Sequence, residues 1–316
     1  MGYPLLCMMK KVLQNRTFVT VVKLIIVILS FYFIYSELHN NDQLNWEKFF
    51  ELLNRKWSVS GLLFLLSFSV ANRYLEILKW QNLVAFIHPI TTGESAKQVL
   101  SALTAGIFTP NGLGEYAGKA LYFEQKKTKK IIFLNLICNG IQMILTVVFG
   151  IIGLWILGYQ IWVLAIMSLC LLLIGLAYMT KSIKIKGYSI EKLLSKINEI
   201  PKKIHRKNML LAVGRYLVFS HQYYFLFLAF DVDLPYLTLM ASIATVYFLA
   251  SSLPSFQFLD FAVKGSVALF FFEKLGVNEW IVVFIATLMW FLNVVLPVVI
   301  GSYFVLKFKP KWKSSP

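Results

Sequence analysis

Long apolar stretches, each close to the length of a membrane-spanning helix, recur along the whole chain. A transmembrane helix needs about 20 mainly apolar residues. The pattern predicts full spans at 18–38, 59–80, 131–157, 161–179, 209–230 and 280–306. The polar connections between them are too short to form a soluble catalytic domain.

Composition and charge agree with a chain that lives in a bilayer. Apolar residues make up 58% and charged residues 15%, whereas soluble domains are about half apolar and about a quarter charged. The mean hydropathy is +0.69. Such a sequence would precipitate in water, so we expect an integral membrane protein.

The net charge of +16 comes mainly from four basic patches that lie outside the predicted spans. The patches are Lys10/Lys11/Arg16, Lys126/Lys127/Lys129/Lys130, the segment 181–207, and Lys307/Lys309/Lys311/Lys313. They are not interleaved with exposed aromatic residues, so we expect no nucleic-acid partner. Lys and Arg accumulate in cytoplasmic loops. We therefore expect a multi-pass protein of the plasma or inner membrane, with both termini cytoplasmic and facing the anionic phospholipid of the inner leaflet.

Two further apolar stretches, 92–125 and 236–275, are interrupted by proline. The charge rule places both ends of each stretch on one side of the membrane, which predicts two re-entrant, broken-helix hairpins. The segments then divide into two halves, 1–158 and 159–316, each in the order span, span, hairpin, span. Because each half crosses the membrane three times, the second must be inverted. The predicted fold is all-α and polytopic, with six full transmembrane helices plus two hairpins, about eight hydrophobic segments in all.

The two hairpins share a pattern of charged residues after the proline. Glu115 and Lys119 follow the first break, and Asp260 and Lys264 follow the second, at spacings that place each pair on one helical face. Charges at membrane depth must be paired or face water. Internal duplication and chance similarity both remain open as explanations for the shared pattern.

The first break, around Asn111, also contains two glycines. Gly112 and Gly114 would let a lipid head group approach the backbone closely, and the start of the next half-helix would favour an anion. The alternative is that the glycines only turn the chain while the Glu115–Lys119 pair stabilises the turn.

Other polar residues fall inside the predicted spans. Arg73 and Glu76 form an i,i+3 pair, although Arg73 could instead extend to the membrane interface. Arg215 is expected at a similar depth, so Arg73 and Arg215 could share one anionic head group. His221 is either a hydrogen-bonded core residue or a proton carrier. Asn293 and Pro297 predict a kink in the last span.

Three amides, Asn135, Asn139 and Gln142, lie on one stripe of the third span. They either hold helices together or form the wall of a polar cavity. The three cysteines are too scattered for a disulfide framework or a zinc site. No nucleotide-binding or hydrolytic motif is present. We therefore expect no metal and no cofactor.

Several of these segments resemble one family. The run Arg73–Trp80, the break Thr109–Glu115, the break Leu253–Ser255 and the helix ending at Leu275–Val277 resemble the transmembrane region of lysylphosphatidylglycerol synthases, which is also described as a flippase-like membrane family. The resemblance covers nearly the whole chain and implies translocation of an aminoacylated phospholipid. Two-part members also carry a soluble transferase domain, and this sequence reaches Pro316 without one. The second hairpin departs from the family, because Ser255–Asp260 replaces a glycine-rich break followed by Glu.

Three functions compete. The leading one is a flippase or transporter that moves an anionic or aminoacylated phospholipid, or another lipid-linked amphiphile, between leaflets. The second is an intramembrane transferase acting on a lipid-linked substrate, with Glu115 or Asp260 as base. The third is a non-catalytic membrane partner of a lipid-modifying enzyme, which would bind through the basic 181–207 loop. Besides membrane lipids, the candidate partners are such an enzyme or a second copy of the chain.

Overall fold

The fold was analysed in a computed structural model that describes residues 59–107, 109, 112–183, 189–253 and 260–309, with isolated positions between 21 and 47. The predicted first span, 18–38, therefore lies outside the described residues apart from those isolated positions, and Asn111 and the side chain of Asp260 also lie outside them. Within these ranges the chain is helical throughout and contains no strand.

Eleven α-helices occur in the described ranges. They are α1 (Val59–Val84), α2 (Thr92–Gly106), α3 (Gly114–Ala120), α4 (Thr128–Ile156), α5 (Gln160–Met179), α6 (Ile190–Asn198), α7 (Lys202–Ala229), α8 (Tyr236–Ser252), α9 (Asp260–Glu273), α10 (Glu279–Trp290) and α11 (Leu296–Lys307). A 3₁₀ turn, Gln125–Lys127, precedes α4, and a π-helical segment, Phe291–Val295, joins α10 to α11.

Four of the described helical segments are long and apolar enough to cross a membrane, which indicates a membrane protein. They are Val59–Val84, Gln125–Ile156, Gln160–Met179 and Glu279–Lys307. The predicted span 209–230 corresponds to the second part of α7, which begins earlier, at Lys202, and ends at Ala229. Helix α5 exposes nearly all of its surface, and Val163 is its only buried residue. An apolar surface of this extent is typical of contact with lipid or another protein.

Local sequence explains several helix boundaries. Thr91 and Glu94 form a reciprocal capping box at the start of α2. Ser189 caps α6, and Gly158 adopts φ +83° in the turn between α4 and α5. The kink predicted from Asn293 and Pro297 corresponds to the π-helical segment, which contains Asn293 and is followed by Pro297 in the first turn of α11.

The first predicted hairpin consists of α2 and α3, which contact each other through small residues. A Cβ atom at Gly118 would lie 3.0 Å from the Cα of Ala102. At Gly114 it would lie 2.9 Å from the carbonyl oxygen of Ala105. The absence of side chains on these glycines allows the two helix backbones to meet directly.

Three helix pairs form the most extensive interhelical contacts among the described residues. Helix α1 packs against α7, α2 packs against α11, and α8 packs against α4. The α2–α11 and α8–α4 contacts each involve a glycine. A Cβ at Gly301 of α11 would lie 2.2 Å from Thr104 Oγ1, and one at Gly153 of α4 would lie 2.5 Å from the carbonyl oxygen of Ala241.

Charge differs between the two ends of the helix bundle. The ring of Tyr122, just before the basic 126–130 segment, lies 4.7 Å from the ring of Phe308 in the basic tail, centre to centre. Ile200, within the basic 181–207 segment, shares an apolar cluster with Ile131 of α4. At the other end, Val232 lies between Asp231 and Asp233 and shares a cluster with Val277, which lies between Glu273 and Glu279.

Candidate functional site

A buried carboxylate at the centre of the bundle contacts two arginines. Glu76 of α1 forms an ion pair with Arg73, one turn earlier on the same helix. Its Oε2 atom also lies 3.3 Å from Nη2 of Arg215 on α7. All three side chains are largely buried. The predicted Arg73–Glu76 pair is therefore present, and Arg73 turns into the bundle instead of extending to the interface.

Asparagines connect these charges to the π-helical segment. The Nε of Arg215 donates a hydrogen bond to Oδ1 of Asn72 over 3.0 Å. The Nδ2 of Asn72 donates to Oδ1 of Asn293 over 2.8 Å. The Nη2 of Arg73 donates to the backbone carbonyl of Asn293 over 2.6 Å. Asn293 thus accepts from two residues of α1 at a point where the helix is distorted, a feature that is frequent at functional sites.

The chain of hydrogen bonds continues from Asn293 into α7 and back to α1. Asn293 Nδ2 donates to Gln222 Oε1 over 3.0 Å. Gln222 Nε2 in turn donates to Ser69 Oγ over 2.7 Å and to the carbonyl of Leu65 over 3.1 Å. We refer to this set as the arginine network; its members are Ser69, Asn72, Arg73, Glu76, Arg215, Gln222 and Asn293.

One buried polar atom of the arginine network has no partner within the described part of the chain. The Nε of Arg73 is inaccessible to solvent and forms no hydrogen bond there. Leaving a buried donor unsatisfied costs about 1–3 kcal/mol.

A second buried cluster surrounds Lys119 of α3, whose side chain is completely inaccessible. Its Nζ donates to Oδ1 of Asn135 over 2.7 Å and lies 4.0 Å from the Glu115 carboxylate. The same ammonium lies 4.9 Å from the centre of the Trp80 ring, a cation–π distance. Trp80 Nε1 donates to Gln98 Oε1 over 2.7 Å.

The two clusters interact through space. The Glu115 carboxylate acts electrostatically on Arg73, and the Lys119 ammonium acts electrostatically on Glu76. A fourth cation, Lys79, is also buried near Glu76 and donates to Gln142 Oε1 over 3.2 Å. Lys79 precedes Trp80, a sequence context that suggests a helix end at the interface. The structure instead places it inside the bundle.

The three amides of the stripe contact different residues. Asn135 contacts Lys119, and Gln142 contacts Lys79. Asn139 makes only a long, 3.4 Å contact with the hydroxyl of Tyr116. Each amide therefore joins α4 to a different polar residue of α1 or α3, as helix-to-helix contacts do.

The geometry of the hairpin glycines fits the second of their two interpretations, in which they turn the chain. Gly112 adopts φ +67°, which a side chain would disfavour. The space beside Gly114 is filled by α2, so no head group reaches the backbone there. The N–H groups of residues 114, 115 and 116 are all bonded within the hairpin, the first to Thr109 Oγ1 over 2.7 Å. The anion site expected at this helix start is therefore replaced by internal hydrogen bonds.

Two predicted residues lie apart from both clusters. His221 contacts the Leu217 carbonyl at 2.8 Å and the Tyr236 hydroxyl at 3.1 Å. These contacts fit a hydrogen-bonded structural histidine. Lys264 lies 5.4 Å from the centre of the Tyr247 ring.

No family model, curated protein or solved structure matches this chain.

Proposed function

We propose that this chain moves an anionic amphiphile with a lipid tail, such as an anionic or aminoacylated phospholipid, between the leaflets of a cell membrane. The observation that carries the proposal is the single Glu76 carboxylate between Arg73 and Arg215. Two guanidinium groups and one carboxylate leave an excess positive charge inside an apolar helix bundle.

The neighbouring residues increase this excess. Among the described residues, the two clusters hold four cations and two carboxylates, namely Arg73, Lys79, Lys119, Arg215, Glu76 and Glu115. Charges buried in apolar surroundings are costly unless they are neutralised. An anionic group would supply the missing charge, and guanidinium groups bind phosphate with favourable geometry. The unpartnered Nε of Arg73 adds a donor for the same anion.

In a transporter, the substrate must also reach the site from both sides of the membrane. We propose that two inverted repeats provide this access. Each repeat would contain two full spans, a re-entrant hairpin and a third full span. The reciprocal packing of α2 on α11 and of α8 on α4 supports this arrangement. In such proteins, broken helices meet near the middle of the membrane and the halves rock about the site. The arginine network would then lie on the seam between α1 and α7.

The charge difference between the two ends supports an orientation. We propose that the basic end, with both termini, faces the cytoplasm, because basic loops are retained on that side. The resemblance to the transmembrane region of lysylphosphatidylglycerol synthases agrees with a lipid substrate. Here the anion would bind to Arg73 and Arg215, and Glu115 with Lys119 would form a pair that rearranges as the substrate passes.

The test is leaflet exchange of a fluorescently labelled anionic phospholipid in vesicles containing the purified protein. We expect Arg73→Ala and Glu115→Gln each to slow exchange by about tenfold, the effect of losing one charge-assisted contact. Arg206→Ala is the matched control, because Arg206 is an exposed arginine at the start of α7. Exchange that is unchanged in both site variants would remove the mechanism.

A further inference from the structure

A cavity of about 860 Å³ opens at the basic end of the bundle, away from the arginine network. It lies between the start of α4, the end of α5 and the short helix α6. Ligand sites commonly have volumes of about 300–1,000 Å³. The cavity is therefore large enough for a head group together with the adjoining part of a lipid tail.

One wall of the cavity is apolar. Ile132, Phe133 and Leu136 of α4 form it, and Ile190 and Leu193 of α6 face it. Ile132 is 38% exposed and Leu136 is 48% exposed, so other described residues leave this wall partly uncovered. Exposed apolar surface beside a membrane-spanning helix is suited to an acyl chain.

The polar part of the cavity is basic. Lys129 from the first turn of α4 and Lys192 with Lys196 from α6 contribute three ammonium groups. Lys192 and Lys196 are four residues apart and therefore lie on one face of α6. The described residues that line the cavity include no carboxylate. Three cations without an acidic residue in the lining would bind a phosphate group favourably.

Helix α6 is held in place at both ends. The backbone N–H of Glu191 donates to the Lys181 carbonyl over 3.1 Å. Beyond the other end, Ile200 is 2% exposed and packs in the apolar cluster that contains Trp80 and Ile131. The helix that carries Lys192 and Lys196 is therefore anchored beside the start of α4, which carries Lys129.

We infer that this cavity binds one anionic phospholipid from the leaflet at the basic end. The phosphate lies among Lys129, Lys192 and Lys196, and an acyl chain lies along Ile132 and Leu136. An apolar wall next to the lysines distinguishes a lipid from a free phosphate ion, which would need only the basic part. The lipid bound here does not have to be transported.

The site lies beside the first hairpin. Tyr116 of α3 lines the cavity, and its hydroxyl accepts the long hydrogen bond from Asn139. Tyr116 is the neighbour of Glu115 in the chain. A bound lipid would thus contact the hairpin from the membrane surface, outside the arginine network.

The experiment measures which lipid the detergent-purified chain retains, using native mass spectrometry after incubation with equal amounts of phosphatidylglycerol and phosphatidylcholine. We expect preferential retention of phosphatidylglycerol, reduced about tenfold in the triple variant Lys129→Gln/Lys192→Gln/Lys196→Gln. The control Lys202→Gln/Lys203→Gln/Arg206→Gln removes the same charge from exposed positions at the same end, and it should retain the lipid. Equal losses in the two triple variants, or no loss in the first, would overturn the proposal.

A second variant tests the apolar wall. Leu193→Trp fills the cavity without changing its charge, so we expect it to reduce phosphatidylglycerol retention as well. If Leu193→Trp still retains the lipid and inorganic phosphate at millimolar concentration displaces it, the site recognises only the phosphate group. The proposal would then be wrong. The lysine variants leave the arginine network intact, so lipid retention and leaflet exchange can fail separately.

Discussion

Glu76 and Arg215 belong to different helices, and Oε2 of the first lies 3.3 Å from Nη2 of the second. Arg73 binds the same carboxylate from one turn away on α1. This shared carboxylate joins the helices α1 and α7 and leaves positive charge in the centre of the bundle. The stability of the protein and its proposed transport therefore depend on the same residues.

Removal of the Glu76 charge should destabilise the fold. In Glu76→Gln both guanidinium groups stay buried without their carboxylate, and breaking a buried ion pair costs about 3–5 kcal/mol. The measurement is the free energy of unfolding in detergent. The double variant Glu76→Gln/Arg215→Gln should regain part of the loss, because one stranded cation is gone. Glu191→Gln, an exposed glutamate of α6, is the control; equal stability of Glu76→Gln and this control would contradict the account.

Substitution of Lys119 and substitution of its hydrogen-bond acceptor Asn135 should reduce the stability of the fold by different amounts. Asn135→Leu leaves the buried Lys119 ammonium without its 2.7 Å acceptor, whereas Lys119→Met removes the charge itself. We expect Asn135→Leu to cost about 3 kcal/mol, because the donor left unsatisfied is charged. We expect Lys119→Met to cost about 1 kcal/mol, because Arg73 still acts on the Glu115 carboxylate and the two clusters hold more cations than carboxylates. Thermal unfolding of both variants in one detergent measures the order. A larger loss of stability for Lys119→Met than for Asn135→Leu would show that Asn135 is not needed to stabilise the buried Lys119 ammonium.

Asn293 should matter more than Asn139, although both are asparagines in predicted spans. Asn293→Leu removes hydrogen bonds to Asn72 and Gln222, at 2.8 and 3.0 Å. We expect a loss of about 2–4 kcal/mol, from two buried groups left unsatisfied. Asn139→Leu removes only the 3.4 Å contact with Tyr116, so we expect about 1 kcal/mol or less. Equal unfolding free energies for the two variants would contradict the arrangement of the arginine network.

Two glycines on one helix test the packing of α8 against α4. A Cβ at Gly153 would lie 2.5 Å from the Ala241 carbonyl oxygen, so Gly153→Ala should destabilise by about 1–3 kcal/mol. Gly140, on the same helix, has nothing within 4 Å of its added Cβ. Gly140→Ala should therefore stabilise by about 0.5–1 kcal/mol through helix propensity. In denaturant titrations, the changes in the free energy of unfolding of the two variants should have opposite signs. Changes of the same sign would be inconsistent with the contact between α8 and α4.

Sequence reasoning identified local pairs better than long-range ones. The Arg73–Glu76 pair follows from i,i+3 spacing alone, and the similar depth of Arg215 indicated its approach to Arg73. The partners of Asn293 could not be inferred, because hydrogen bonds between distant helices leave no periodic signal. Its only sequence signal was the nearby Pro297, which indicates a kink.

The other differences between the sequence-based expectations and the structure are caused by helix packing. Lys79 beside Trp80 is typical of a helix end at the membrane surface, but Gln142 and Glu76 stabilise it inside the bundle. One of the two interpretations of Gly114 had it admit a head group, and helix α2 occupies that space instead. Neither outcome can be read from a single segment, since each depends on which helix lies alongside.

The central claim is that Arg73 and Arg215 select a negatively charged amphiphile for movement across the membrane. The most direct test compares the leaflet exchange of labelled phosphatidylglycerol and labelled phosphatidylcholine in vesicles that contain the wild-type chain, Arg73→Ala/Arg215→Ala or Arg206→Ala. We predict faster exchange of the anionic lipid in the wild type and in Arg206→Ala, and loss of this difference in the double variant. Equal rates for the two lipids in the wild type, or an unchanged difference in the double variant, would contradict the claim.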